Sequence, residues 1–296
     1  MYLCYVKKNI PVYDISSLSA FRKEDIMVSR FGPYSKHHQH LHYPHRHNFY
    51  HIVLFTQGAG SHSIDFESFA VEPWQIYFMV PGQVHSWNFE GDPDGYVVNF
   101  PDTFFQSFLL DTGYLQKFSF FDGFSHNSVL SIPADCRPTV EGILQELLKC
   151  STGNKKFSAD HARVLLLKMF ITISDLVVEK AEEYVSSYNY TLLKNFRGLI
   201  ERNYSEMKLP KEYAALLYIT PNHLNSLCND LLGMPAGEVI RKRVILEAKR
   251  MLVNQEVSVS EISAELNFSD NSYFTKFFKK YVGTTPEEFR KKVIKP

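Results

Sequence analysis

Four imidazoles, His45, His47, His51 and His85, are the side chains of this sequence best placed to do chemistry. The first three are separated by even intervals, so on an extended strand they project from one face. If His85 reaches them from a facing strand, neutral imidazoles at this density can hold Zn, Cu, Ni or Fe. They can equally line a pocket for a small polar molecule. Trp87 lies two residues beyond His85, and an indole beside an imidazole suits a sugar ring or a small aromatic acid. His62 lies between these groups, while His37, His38, His40 and His42 form an earlier run that reads as a solvated loop.

A second set of polar side chains sits in a segment written twice. Lys211–Leu217, a turn through Tyr218 and Ile219, and Thr220–Cys228 form the first copy. Ser260–Leu266, a turn through Asn267 and Phe268, and Ser269–Phe278 form the second. Leu217 matches Leu266, Leu224 matches Phe274 and Gly233 matches Gly283, which leaves one extra residue in the second turn. Each copy reads as helix, turn, helix. Thr220 and Ser269 are expected N-caps, Pro221 fits the first helical position, and Gly233 and Gly283 supply left-handed ends. Ser258 with Glu261, and Thr285 with Glu288, have the spacing of reciprocal capping boxes. Residues 236–253 between the copies read as one helix about 27 Å long, a spacer comparable to the roughly 34 Å between successive major grooves on one DNA face.

The second copy, Asn267 to Lys280 followed by Gly283, Pro286, Phe289 and Arg290, resembles the signature of the AraC/XylS family of bacterial transcription regulators. That resemblance implies sequence-specific binding of double-stranded DNA, with Asn222, Asn225 and Ser226 reading bases from the first recognition helix and Asn271, Ser272 and Lys276 from the second. It sets Thr220, Pro221, His223, Ser269, Thr275, Lys279 and Lys280 beside them at the interface. Two features depart from the pattern: Asn267 replaces the usual turn glycine, and Ser226, Cys228, Asn229 and Asp230 replace a segment that is often basic. The first helix is therefore expected to contribute less to DNA binding.

Upstream, residues 27–100 change to short alternating strands, Phe49–Thr56, Ser61–Phe66 and Trp74–Val80, broken at Gly58-Ala59-Gly60 and Pro81-Gly82. This is the pattern of a small antiparallel barrel or double-sheet jelly roll. Pro44-His45-Arg46-His47, Gly58-x-Gly60 and Pro81-Gly82-Gln83-Val84-His85 resemble the cupin-like effector domain of sugar-responsive members of the same family. By that resemblance His45, His47, His51, His85 and Trp87 line the pocket of a small organic effector such as a sugar, and no cofactor is expected. Metal-binding cupins usually carry glutamate at the position of His51, which turns the resemblance away from a metal on His45, His47, His51 and His85.

The expected fold class is α+β: a cupin-like double-stranded β-barrel with dimerisation helices over residues 1–187, then an all-α tandem helix-turn-helix domain over residues 190–296. Two helices, residues 138–150 and 158–187, follow the barrel, the second carrying a broad apolar stripe from Leu165 to Val177; family members dimerise at this place. Ser186 to Tyr190 is the expected linker.

Charge divides along the same line. The chain carries 32 basic and 32 acidic residues, but residues 190–296 hold 17 Lys and Arg against 12 Asp and Glu. A basic half suits nucleic acid. Four scattered cysteines without paired spacing argue against a disulfide framework or a structural zinc. No run of eighteen apolar residues and no signal-peptide core is present, so a cytoplasmic protein with no membrane contact is expected. The expected partners are DNA, a small effector, a second copy of the chain and, for an activator, RNA polymerase. The competing reading is a metal-dependent cupin enzyme carrying a DNA-binding domain. A DNA-repair methyltransferase sharing the tandem domain would need a Pro-Cys-His-Arg setting, which none of the cysteines has.

Overall fold

The computed structural model describes residues 10–18, 26–106, 108–111, 113–123, 125–151, 156–181, 187–254 and 256–294. They fall into two compact units, one within residues 11–184 and the other within residues 185–296 together with Ile10.

The first unit is built on strands β1 (Val12–Tyr13), β2 (Met27–Arg30), β3 (His45–His47), β4 (Phe49–Ile64), β5 (Glu67–Ala70), β6 (Gln75–Met79), β7 (Val84–Pro101) and β8 (Val129–Ser131). Helices α1 (Ile15–Leu18), α2 (Phe31–His37), α3 (Arg137–Ser151) and α4 (Ser158–Ala181) accompany them. The strands form one sheet in the order β1-β3-β7-β4-β6-β8, with β2 also on β7 and β5 also on β4.

Two long strands determine its shape. β4 and β7 run antiparallel from Phe49 opposite Pro101 to Ile64 opposite His85, with register shifts between Phe55 and Ala59. Such bulges bend a strand and sharpen its twist. The first half of β4 pairs with β6 on its other side and the second half with β5. Each long strand thus serves both layers of a cupin-like barrel. Gly58-Ala59-Gly60, expected to separate two strands, instead lies inside one. Glycine is required there by proximity: a Cβ on Gly60 would stand 2.2 Å from the Asn88 carbonyl oxygen, and one on Gly95 only 1.9 Å from that of Leu54.

Alternation along the strands separates two cores. Ile52, Leu54, Ile76, Phe78, Val98 and Phe100 share a cluster with Val140 and Leu144 of α3 and Leu166, Met169 and Phe170 of α4. Their sequence neighbours Val53, Phe55, Tyr77, Met79 and Val97 fill the barrel interior with Phe31 and Trp87. Burial on both faces explains why Phe49–Phe55 is an almost unbroken apolar run. Leu165, Leu166, Met169, Phe170 and Ile173, part of the stripe expected at a dimer contact, are in the first of these cores. The stripe's last residue, Val177, has a side chain outside the described set. Phe157, Val164 and Ile171, seven residues apart along or just before α4, are exposed instead.

The second unit is all helical: α5 (Ser187–Asn203), α6 (Pro210–Leu216), α7 (Pro221–Leu232), α8 (Ala236–Leu252), α9 (Val259–Glu265), α10 (Asn271–Val282) and α11 (Pro286–Ile294). Residues 187–190, expected in a linker, are the first turn of α5; Ser186 lies outside the described residues. α8 joins two cores: Ala236, Val239 and Ile240 pack with α5, α6 and α7, whereas Val244, Ala248 and Leu252 pack with α9, α10 and α11.

The helix ends follow local chemistry. Thr220 Oγ1 accepts from His223 N at 3.1 Å, and Gly233 closes α7 at φ 66°. Ser258 and Glu261, and Thr285 and Glu288, exchange both bonds of their capping boxes. At α10 the cap is Asp270, whose Oδ1 accepts from Tyr273 N at 2.7 Å, rather than Ser269. The helix starts at Asn271, and an N-cap must lie three residues before the N–H it receives. The extra residue of the second turn carries Ser269 one place too far back. Asn267 adopts the left-handed conformation at φ 53°, and so does its counterpart Tyr218 at φ 56°.

Candidate functional site

Strand register assembles the histidines. His45 of β3 stands directly opposite His85 of β7, His62 of β4 opposite Trp87, and His51 of β4 opposite Asn99. These four imidazoles and that of His47 on β3 are buried. His45, His47 and His85 each offer a ring nitrogen within 4.8 Å of the others. Their centroids are 4.1 to 4.8 Å apart, and His51 stands 4.9 Å from His47. The structure therefore brings together the four histidines selected from sequence and adds His62, whose Nε2 lies 3.2 Å from His85 Nδ1. His62 was not selected from sequence, because it stands at an odd interval from His51 and only the register of β4 on β7, with its shifts between Phe55 and Ala59, sets it opposite Trp87.

Backbone and amide acceptors orient these rings. His45 Nδ1 donates to the Tyr43 carbonyl at 2.8 Å, and His51 Nδ1 donates to Asn99 Oδ1 at 2.5 Å. Nε2 of His45, His47, His51 and His85 has no hydrogen-bond partner among the described residues. Burial holds all five rings in the neutral form. It lowers His45 to about 4, partly opposed by the Tyr43 bond, and His51 to about 3, partly opposed by Asn99. His47, His62 and His85 lie well below the ordinary histidine value, through burial first and neighbouring imidazoles second. Trp87 is enclosed too, its ring 5.5 Å from Phe31 and stacked 5.9 Å from Phe89. Of the earlier run, His37 and His40 are exposed, while His38 is half-buried and half-buried His42 meets Ser35 Oγ at 3.0 Å.

In the helical unit, α7 presents Asn222, His223 and Ser226 to solvent, with Thr220 and Pro221 at its start. Asn225 is half-buried, and its Oδ1 accepts from Ala236 N at 3.1 Å, tying α7 to the start of α8. Ser226 Oγ reaches Asp230 at 3.4 Å. α10 presents Asn271, Ser272, Tyr273, Lys276, Lys279 and Lys280, with Thr275 half-buried and Ser269 exposed just ahead. Its other face is aromatic: Phe274 and Phe278 are buried, and Phe268 stands 5.1 Å from both Phe274 and Phe277. The two exposed faces differ in charge, since α10 carries three lysines and α7 carries none.

Residues 213–292 match the model of a helix-turn-helix domain, and residues 28–170 match that of an AraC-like ligand-binding domain. The chain belongs to the AraC family. Both recognition-helix candidates fall inside the first match of this AraC-family chain and the whole histidine cluster inside the second. Among curated relatives, it is 39% identical over 118 residues to the uncharacterized transcriptional regulatory protein YesN of Bacillus subtilis, covering 38% of this chain and 32% of that one. It is 38% identical over 74 residues to the probable transcription factor PqrA of Proteus vulgaris, covering 25% of this chain and 61% of the relative. The chain thus spans less than two thirds of the length of either. Against the arabinose operon regulatory protein of Salmonella typhimurium the identity is 20% over 246 residues, covering 81% and 83% of the two chains. No helix among the described residues is long and apolar enough to cross a membrane.

Proposed function

We propose that this protein is a sequence-specific, DNA-binding transcription regulator controlled by a small effector held among the histidines of the barrel. The observation that carries the reading is the pair of helix-turn-helix units built on one shared helix, α8, each with the polar start of its second helix in solvent. Asn271, Ser272 and Lys276 of α10 read bases, and Lys279 and Lys280 meet phosphate, where lysine gives the salt-dependent part of affinity. Asn222, His223 and Ser226 of α7 make the weaker set. Thr220, Pro221, Asn225, Ser269 and Thr275 border the two faces.

The protein acts in the cytoplasm, as a homodimer, and is not an enzyme. Exposed Phe157, Val164 and Ile171 repeat at seven residues, a spacing that keeps side chains on one side of a helix and suits a second copy of α4. An effector changes DNA binding only by favouring one arrangement of the chain over another. The test is to select bound fragments from a genomic library with the purified full chain and titrate one by fluorescence anisotropy. Saturable binding with at least tenfold preference over a scrambled duplex supports the reading, and equal affinity for both sinks it.

A further inference from the structure

We propose that the effector of the barrel is a divalent transition-metal ion, bound by His45, His47 and His85 with His51 as the fourth donor. The inference rests on the regulator reading above and specifies its ligand. Family resemblance favours an organic effector, but the packing favours an ion. Rings whose centroids are 4.1 to 5.4 Å apart enclose a space between nitrogens, not the volume of a sugar.

The donor set is arranged as ligands need. An imidazole binds metal through a bare lone pair, and its other nitrogen is normally hydrogen-bonded so that the tautomer and ring direction are fixed. His45 and His51 meet this condition, since donation from Nδ1 to the Tyr43 carbonyl and to Asn99 Oδ1 leaves Nε2 unprotonated. His85 meets it when Nδ1 donates to His62 Nε2, 3.2 Å away. His62 is thus a positioning residue behind the site. His47 is held by stacking on Phe49, 4.4 Å away and tilted by 12°.

The orphaned nitrogens give the second line of evidence. Four buried Nε2 atoms without a partner among the described residues are costly, because an unsatisfied buried polar group loses hydration without return. Coordination by the close trio satisfies three of them at once, and His51, 4.9 Å from His47, completes the set by a small approach of its ring. An all-imidazole set suits zinc, copper, nickel or ferrous iron and discriminates against calcium and magnesium, which take oxygen ligands.

The test uses the full chain stripped with a chelator and then given zinc, with calcium as the control cation. Competition against a chromophoric chelator should give one zinc per chain, and His47→Gln and His85→Gln should each bind at least about 100-fold more weakly, beyond the roughly 10–100-fold that loss of an outer-shell partner costs. His40→Gln should match the parent. Because buried substitutions can unfold the barrel, X-ray absorption of the zinc-loaded parent is an independent measurement. Only nitrogen or oxygen scatterers at about 2.0–2.1 Å, with imidazole features, support the site. A sulfur shell, or no stoichiometric zinc, overturns it. Anisotropy on the selected DNA, with and without zinc, then separates the two readings. A zinc-dependent change in affinity, absent from His85→Gln, supports the metal as effector. Stoichiometric zinc with unchanged DNA affinity overturns that role while DNA binding stands, and a chain that binds no DNA either with or without zinc sinks the regulator reading itself.

Discussion

Nε of Arg243 on α8 lies 2.8 Å from Oε2 and 2.9 Å from Oε1 of Glu201 on α5, with the Arg243 guanidinium 4.0 Å above the Tyr204 ring. Glu247, one turn along α8, takes a second nitrogen of the same guanidinium at 3.0 Å. The arginine is buried; burial alone would lower its pKa, but Glu201 and Glu247 outweigh that and raise it. Removing one partner of a buried pair leaves a charge without compensation. Glu201→Ala is expected to destabilise the helical unit by about 2–3 kcal/mol, less than a full orphaning because Glu247 remains. Urea unfolding followed by circular dichroism measures it, and a change below about 0.5 kcal/mol would show that the pair contributes little.

Two barrel glycines separate crowding from backbone conformation. Gly95→Ala would drive a Cβ into the Leu54 carbonyl, whereas Gly82, at φ 87°, has nothing within 4 Å of a built Cβ. Gly82→Ala therefore costs only the left-handed penalty, about 1 kcal/mol. Gly95→Ala adds a steric clash between the two long strands and should cost at least about 3 kcal/mol. Equal melting temperatures for the two variants would contradict the assigned approach of β4 and β7.

The pH dependence of the barrel has a local component at Asp94. Burial pushes its carboxyl up, but bonds from the Arg30 side chain and from the Gly32 and Gly95 N–H groups outweigh burial and leave it below the ordinary value of 3.8. A folded-state value below the unfolded one means stabilisation that is complete above the unfolded pKa and lost as pH falls through the folded pKa. Asp94→Asn should therefore be less stable than the parent at pH 6, with the difference shrinking as pH falls below about 4. A difference that is constant from pH 6 to pH 3 would remove Asp94 from this account.

Tyr218 is 95% exposed and held at φ 56°, where a side chain with a Cβ is strained. Tyr218→Gly should stabilise the helical unit by about 1 kcal/mol, while Asn267→Gly should gain less, because asparagine tolerates this region. Thermal melts of both variants test the ordering.

Much of the helical unit was legible because its signals are local. A cap is read from residues three apart, and Thr220, Gly233, Ser258, Gly283 and Thr285 sit where the sequence put them. Asp270 in place of Ser269 shows the limit, since two adjacent cap-forming residues differ only in where the helix begins. The barrel was less legible because its signals are long-range. Gly58-Ala59-Gly60 has the composition of a turn, and only pairing with β7 makes it part of a strand. Even spacing grouped His45, His47 and His51, but the inclusion of His62 and Asn99 depends on cross-strand register that one strand cannot reveal. The Glu201–Arg243 pairing was likewise invisible, being joined across 42 residues, although Arg243 and Glu247 stand four apart on one helix.

Asn225 and Lys276, both placed by sequence at the DNA interface, should behave differently. Asn225 Oδ1 holds Ala236 N, so Asn225→Ala removes a bond at the start of α8 and should cost about 1 kcal/mol of stability. Lys276 is exposed on α10 among Asn271, Ser272 and Lys279. Lys276→Ala should leave the melting temperature unchanged and weaken DNA binding. If its ammonium neutralises one phosphate, the slope of log affinity against log salt falls by about one, because one fewer counterion is released. Reduced affinity with the parent's slope, and selectivity lost at one base pair, would instead mark Lys276 as a base reader. Unchanged affinity and slope in the anisotropy titration would take it out of the interface altogether.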